Sequence, residues 1–433
     1  MKKLYIIICA SFSLASATTY AQQANCSGSR FHDYAFPALP TPISNVQYGS
    51  NLQWTGANQN LKMDIYQPVG DVATLRPLII IAHGGSFVYG SKTGSDVVPL
   101  CQDLARMGYV TASIDYRLGM THLLTGGPPH AEDAGPAVMR GTHDARAAVR
   151  YFRKNARIGG NTYNIDTNNI FFAGVSAGGF IALHLAYLDQ TSELLPYIDT
   201  LAQQGLLGGV EGVSGNPGYS SKVKAIINIC GALADTSFMH TGDTPLLSFH
   251  GNADGTVPYA NDTIYLLNQY PILKVHGSST IAMRANHQGI ENCFVPWYGA
   301  NHVPEVGTSP ANVKYYDSTI TITRNFLEHF MCGVPKDCNK TQTPQIVGIE
   351  ELALESNIAI YPNPAQNSFI IDLSKLNTNK FGVEMYNALG AKVTAFAATN
   401  RMITIERNAL PAGIYLVNII VDGKTLSKKV IFE

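Results

Sequence analysis

Charge is scarce in this chain. Lys, Arg, Asp and Glu make up 14% of 433 residues and nearly cancel, leaving a net charge of −1. Without a basic excess there is no electrostatic footing for nucleic acid or for an anionic membrane surface. Long apolar runs are missing beyond the first twenty residues or so, so no membrane-spanning segment is expected in the rest of the chain. No C-x-x-C pair occurs, which weakens a zinc or redox reading. No Gly-rich phosphate loop or cofactor fingerprint is found either, so no cofactor and no metal is implied.

What is present begins with an export signal. Met1-Lys2-Lys3 precedes the apolar run Leu4 to Ala17, which is too short for a stable anchor. Small residues around Thr19-Tyr20-Ala21 predict a signal peptide over 1–21, cleaved after Ala21. The exported chain then keeps Cys26, Cys101, Cys230, Cys293, Cys332 and Cys338, an even number in an oxidising compartment. A bridge from Cys293 to Cys332 or Cys338 would tie the end of the domain to a late strand; the local alternative is Cys332 to Cys338. Cys230, in an apolar run, is expected to be a reduced core thiol. Cys26 and Cys101 pair only if the lead-in folds back over an early helix.

The length suits one large and one small domain. After an irregular lead-in, apolar β-branched runs predict strands at 61–68, 76–82, 109–117, 170–173, 224–231, 245–251 and 294–298. Helical patterns separate several of them, notably 98–107, 142–153, 180–188 and 313–331. This alternation predicts a mostly parallel, doubly wound sheet with helices on both faces. Residues 118–141, 189–221 and 286–293 show no clear period and are expected to be irregular, apart from a possible helix near 197–204. Thr142 is expected to cap the helix at 142, with Asp144 in its first turn. The resulting plan is a catalytic domain over 22–335, a polar, Pro-interrupted linker over 336–354, and a small all-β sandwich over 355–433.

One stretch organises the rest. Ile170 to Ala173 is a short apolar strand, Gly174-Val175-Ser176-Ala177-Gly178 fits G-x-S-x-G, and a helix follows from Phe180. A strand that turns sharply into a helix needs small residues two before and two after the turning residue. That residue is then exposed at a helix N-terminus, which suits an oxygen nucleophile.

A serine hydroxyl needs a base, and the base needs an acid to fix its tautomer. Ser176, Asp254 and His302 each follow a predicted strand, in the chain order Ser, Asp, His. His83-Gly84-Gly85-Ser86-Phe87 brings adjacent glycines to the end of another strand, where backbone N–H groups can face a developing oxyanion. Ala177 N–H is the second donor, and either Gly85 or Ser86 the first. Asp235 and His287 are the competing acid and base. Asp254 is preferred for its Asp-x-x-Val-Pro setting, and His287 precedes the last strand where His302 follows it. His184 is expected in the core, His83 and His250 as braces of their turns. The group His122, His130, Glu132 and Asp133 lacks a ligand spacing.

Residues from about 60 to 330 resemble α/β-hydrolase carboxylesterases of the HGG-x-F, G-x-S-A-G-G type, a group with hormone-sensitive-lipase-like, feruloyl and acetyl esterases. His83 to Phe87, Asp115-Tyr116-Arg117, Gly174 to Gly179, the Asp254 turn and Gly299 to His302 carry the resemblance. It implies a serine ester hydrolase working through an acyl-enzyme on a small-molecule or polymer-borne ester. A serine peptidase of the same superfamily and an inactive hydrolase fold acting as a binding module are the alternatives. The end of the chain is similar to type A sorting domains of type IX secretion cargo, through Tyr361-Pro362-Asn363-Pro364, Leu410-Pro411-Ala412-Gly413-Ile414-Tyr415 and the closing Lys428-Lys429-Val430-Ile431. That resemblance implies the type IX machinery as partner, and a secreted or cell-surface destination reached through the periplasm.

Overall fold

The computed structural model describes residues 26–433 except 27, 121–124, 128–130, 267–269, 340–357, 377, 379, 389 and 422–423. The expected signal peptide lies outside the described residues, as do His122, His130 and most of the expected linker.

Among the described residues the larger unit is built on an eight-stranded sheet. Its strands are β1 (Ile43–Leu52), β2 (Asn58–Tyr66), β3 (Arg76–Ala82), β4 (Val110–Ile114), β5 (Ile165–Val175), β6 (Ile226–Ile229), β8 (Leu246–Gly251) and β11 (Asn292–Trp297). They lie in the order β1-β2-β4-β3-β5-β6-β8-β11, antiparallel at β1–β2 and β2–β4 and parallel from β4 onward. The unbroken apolar run of β3 follows from burial on both faces. Leu78, Ile80 and Ala82 enter one core with Phe172, while Ile79 and Ile81 enter the other with Phe171. Helices α2 (Ala131–Ile158) and α3 (Ala177–Tyr187) cover the first core; α1 (Val98–Arg106) and α5 (Pro310–Cys332) cover the second.

Four expectations are corrected here. The segment before 142 is helical: α2 starts at Ala131 and runs through Gly135, Pro136 and Gly141. Packing outweighs these poor helix formers, because α2 lies so close to α3 that a Cβ on Gly141 would press on Ile181. Thr142 is therefore mid-helix and caps nothing; its hydroxyl donates back to the Val138 carbonyl at 2.8 Å. The helix expected near 197–204 is a set of turns, because the Asp199 carboxylate accepts from the N–H groups of Leu201 and Ala202 and holds the chain in a side-chain-capped turn. The region around 286 is the end of helix α4 (Ser278–Gln288), which Gly289 stops in a left-handed conformation.

A second small sheet, in the order β7 (Ala232–Leu233), β10 (Tyr270–Gly277) and β9 (Asn261–Leu266), packs against α2, α3 and the helix at 278–288. Two disulfides fasten the ends of the unit: Cys26–Cys332 and Cys293–Cys338. Cys101 and Cys230 are buried and unpaired. Asn339 is held as well, its carbonyl accepting from Asn325 Nδ2.

The C-terminal unit is all β. One sheet has the order β12-β13-β16, from Ala359–Tyr361, Ser368–Asp372 and Met402–Glu406. The other has the order β15-β14-β17-β18, from Lys392–Ala398, Phe381–Asn387, Gly413–Val421 and Lys424–Phe432. Phe369, Ile371, Val383, Val417 and Val430 fill one core, as period-two strands with a single apolar face require.

Candidate active site

Ser176 stands at the joint between β5 and α3 with φ 54° and ψ −115°, a strained backbone for a residue with a side chain. The joint closes only because its flanks are glycine. A Cβ on Gly174 would overlap the Gly178 carbonyl, and one on Gly178 would overlap the Ala82 carbonyl. Asn228 braces the other side, accepting from the Gly231 N–H at 2.9 Å. The result is a hydroxyl projecting at the N-terminus of a helix whose first residues are all buried.

His302 and Asp254 come to it from the ends of β11 and β8. His302 Nε2 is 2.8 Å from Ser176 Oγ, and His302 Nδ1 is 2.6 Å from Asp254 Oδ2. Asp254 Oδ1 accepts from the N–H groups of Thr256 and Val257 at 2.8 and 2.9 Å. His250 Nε2 lies 3.2 Å from Oδ2, and its Nδ1 is 2.8 Å from Ser278 Oγ. Burial alone would raise the Asp254 pKa, but hydrogen bonds from His250 and His302 outweigh it and hold the carboxyl well below the usual carboxylate range. Asp254 is thus a fixed anion facing the His302 ring.

The competing residues are elsewhere. Asp235 caps a short 3₁₀ turn through the Ser237 N–H, and His287 is exposed in the last turn of α4. His184 is buried in α3, its Nδ1 on the Phe180 carbonyl at 2.8 Å, and burial pushes its pKa down to about 4. His83 stacks on Tyr116, whose hydroxyl donates to the His83 carbonyl at 2.9 Å.

The loop after β3 carries three successive positive φ values, at Gly85, Ser86 and Phe87. Gly85 is at a tight turn, its carbonyl accepting from Val88 and Tyr89, and a Cβ there would strike Tyr89. Asp96 clamps the loop by accepting from the Gly84 N–H at 2.7 Å. Among the described residues no acceptor meets the N–H groups of Gly85 and Ser86. Of these two, Ser86 lines the pocket in front of Ser176, together with Ala177, and Gly85 does not. The pocket, a cavity of about 80 Å³, is lined mostly by apolar side chains, with Phe87, Met120, Phe180 and Val257 prominent.

Two neighbours of the site carry no sequence signal of their own. Cys230, with φ 53°, places its thiol within a cluster with the Asp254 carboxylate and the His302 ring whose atoms all lie within 4.8 Å. Asp254 and His302 already bond each other there, and burial pushes the thiol pKa well up. Glu305 is 4% exposed, and neither carboxyl oxygen is held by a well-formed hydrogen bond.

Residues 63–236 match the BD-FAE family, and residues 359–433 match the family described as secretion system C-terminal sorting domain. The chain carries a BD-FAE domain and a sorting domain. The BD-FAE match includes the 83–87 loop and Ser176, while Asp254 and His302 lie beyond it. Similar curated proteins are carboxylesterase 3B of Mus musculus and esterase-5C of Drosophila miranda. The first is 35% identical over 127 residues, covering 29% of this chain and 20% of that protein. The second is 29% identical over 160 residues, covering 35% and 26%. The chain therefore spans about a fifth to a quarter of the length of these relatives. Among solved structures, an esterase from Thermogutta terrifontis with propionate bound aligns at TM-score 0.45 and 22% identity, over 64% of this chain and 93% of that one. The apo form of Thermogutta terrifontis esterase 2 aligns at TM-score 0.48 and 20% identity, over 70% and 98%. The sorting domain marks the protein for export, to the medium or the cell surface. Among the described residues, no helix outside the BD-FAE or sorting domain, or within them, is long and apolar enough to cross a membrane.

Proposed function

We propose that the protein is an exported serine carboxylesterase that works through an acyl-enzyme. The observation that carries this reading is the unbroken hydrogen-bonded line from Ser176 through His302 to Asp254, opening on an apolar pocket. Similarity to esterases over part of the chain points the same way.

The chemistry follows from the distances. Ser176 Oγ attacks the ester carbonyl carbon while His302 Nε2 takes its proton. Asp254 accepts from Nδ1–H, fixing the tautomer and offsetting the positive charge that forms on the ring. The oxyanion is received by the N–H groups of Ala177 and Ser86, which cost no reorganisation because the elbow and the 84–89 turn hold them in place. As the carbonyl reforms, the bond to the alcohol oxygen breaks and His302 gives it the proton. Water then attacks the acyl-Ser176 ester, with His302 again as base, and releases the acid.

The test is labelling with a fluorophosphonate alongside hydrolysis of p-nitrophenyl butyrate. The expected outcome is a single adduct on Ser176, with label and hydrolysis both lost in Ser176→Ala. Hydrolysis that survives in Ser176→Ala would overturn the reading.

A further inference from the structure

The turn that offers the Ser86 N–H is a run of three peptide planes, each held by at least one end. A peptide unit is planar and trans, so a carbonyl fixed in one direction sends its N–H in the other. The His83–Gly84 unit is gripped at both ends. The His83 carbonyl accepts from the Tyr116 hydroxyl at 2.9 Å, and the Gly84 N–H donates to Asp96 Oδ2 at 2.7 Å. In the next unit the Gly84 carbonyl lies 2.6 Å from His83 Nδ1. In the third, the Gly85 carbonyl accepts from the Val88 and Tyr89 N–H groups, which sends the Ser86 N–H to the opposite side.

Asp96 reaches this run from outside the turn. It stands two residues before α1 and is half-buried, and two glycines make room for its carboxylate. A Cβ on Gly94 would come within 2.3 Å of Oδ1, and one on Gly84 within 3.3 Å of Oδ2. The same Cβ on Gly84 would lie 3.2 Å from Ser176 Cβ. Carboxylate, Gly84 and the base of the Ser176 side chain are therefore packed in series. A shift of Gly84 moves the Ser86 N–H relative to Ser176. The charge of Asp96 is no help to an oxyanion, since a negative group behind the site opposes one forming in front of it. What Asp96 supplies is placement.

We propose that Asp96 is a positioning residue for the oxyanion hole, holding Gly84 so that the Ser86 and Ala177 N–H groups meet on one oxygen. Given the esterase reading, on which this step rests, the contact matters only where negative charge gathers on that oxygen. Losing it misplaces a donor and does not delete one. The loss in kcat is then about 10²-fold, short of the roughly 10³-fold that a missing donor costs. KM, set by the apolar pocket, stays near the parent value.

The experiment measures p-nitrophenyl butyrate hydrolysis by the full-length protein and by Asp96→Ala, Asp96→Asn, Asp96→Glu and Gly94→Ala. Amide hydrogen exchange over residues 83–90 is followed by mass spectrometry in the same proteins. Asp96→Ala is expected to lose kcat at near-constant KM and to exchange the Gly84 amide at least tenfold faster. Asp96→Asn keeps an acceptor in place without the charge and should recover most of both losses. Asp96→Glu keeps the charge and displaces the acceptor, and Gly94→Ala pushes the carboxylate aside; both should lose kcat. These two decide the matter where Asp96→Ala does not fold. Gly94→Ala/Asp96→Ala should be no worse than Asp96→Ala, because the added methyl acts only through the carboxylate. Parent-like kcat in Asp96→Ala overturns the proposal, as does a damaged Asp96→Asn beside an intact Asp96→Glu. Absence of hydrolysis in every protein, with faster Gly84 exchange in Asp96→Ala, leaves the hold on the loop standing and overturns the esterase reading instead.

Discussion

Arg117 and Asp144 form an ion pair with both side chains fully buried, the guanidinium 2.8 Å from Asp144 Oδ1. Arg117 also donates to the carbonyls of Leu52 and Gly205 and to Ser214 Oγ, and Ser214 in turn donates to Asp144 at 2.6 Å. The pair therefore joins the end of β4 to α2, to β1 and to the 189–221 insertion. Removing one partner leaves a buried charge without its counterion, at a cost of about 3–5 kcal/mol. Asp144→Asn is expected to lower the unfolding midpoint in urea at unchanged slope; a shift worth less than about 1 kcal/mol would show that the network carries little.

Arg117 was visible in the Asp-Tyr-Arg triplet, but its partner was not. Asp144 reads from its neighbours as a first-turn carboxylate, because Gly141 and Pro136 look like helix breakers. Only the packing of α2 against α3 makes the helix continue through them. The same distinction holds across the fold. Strands β3, β4, β5, β6 and β8 are legible because burial on both faces writes an unbroken apolar run. The β9–β10 hairpin, half-exposed and with Pro271 inside β10, writes none. Those unread elements hold Val138 and Leu273, so the shape of the pocket was hidden while the residues at the strand ends were not.

Glu305 gives a dependence on pH. Burial pushes its carboxyl up to about 7, with the Asp96 and Asp254 carboxylates adding to the shift; only its own backbone N–H opposes. The unfolded chain gives up this proton near 4.5 while the folded chain keeps it. The folded state then binds more protons, so stability falls as pH rises from about 4.5 to 7 and is flat above. The size is roughly 3 kcal/mol. Glu305→Gln removes this slope. Its midpoint relative to the parent should be higher at pH 8 than at pH 4, and parallel pH profiles would count against the assignment.

The disulfides and the domain boundary make one joint prediction. Linking Cys293 to Cys338 across 45 residues is worth up to about 4 kcal/mol by loop closure. We expect non-reducing peptide maps to show Cys26–Cys332 and Cys293–Cys338, with Cys101 and Cys230 resisting alkylation until unfolding. We also expect the exported form to begin near Gln22 and to have lost most residues after about 350. A chain ending at Asn339 keeps both bridges and all three residues of the hydrogen-bonded line, and should keep ester hydrolysis. A chain ending at Met331 loses both bridges and should melt at lower temperature. Equal melting of the two chains would show that the bridges do not brace the unit.

The strongest test concerns Asp254, which two histidines share. Ser176, His302 and Asp254 are expected to act as a unit, so Ser176→Ala or His302→Ala should each cost on the order of 10⁴-fold or more in kcat, and the double variant little beyond either. Asp254→Asn leaves the shape but offers an N–H where an acceptor is needed, so His302 is pushed to the wrong tautomer and kcat should fall by a smaller but still large factor, on the order of 10³ to 10⁴. His250→Gln should behave differently. It removes one of the donors that keep Asp254 ionised, while His302 still donates from 2.6 Å and Thr256 and Val257 still donate to Oδ1. Its effect should be a modest loss in kcat, with the acid limb of the pH–rate profile moved. If His250→Gln were as damaging as Asp254→Asn, the carboxylate would depend on His250 for its charge. If His302→Ala kept a near-normal rate while His287→Ala lost it, the base would be on α4 and not at the end of β11.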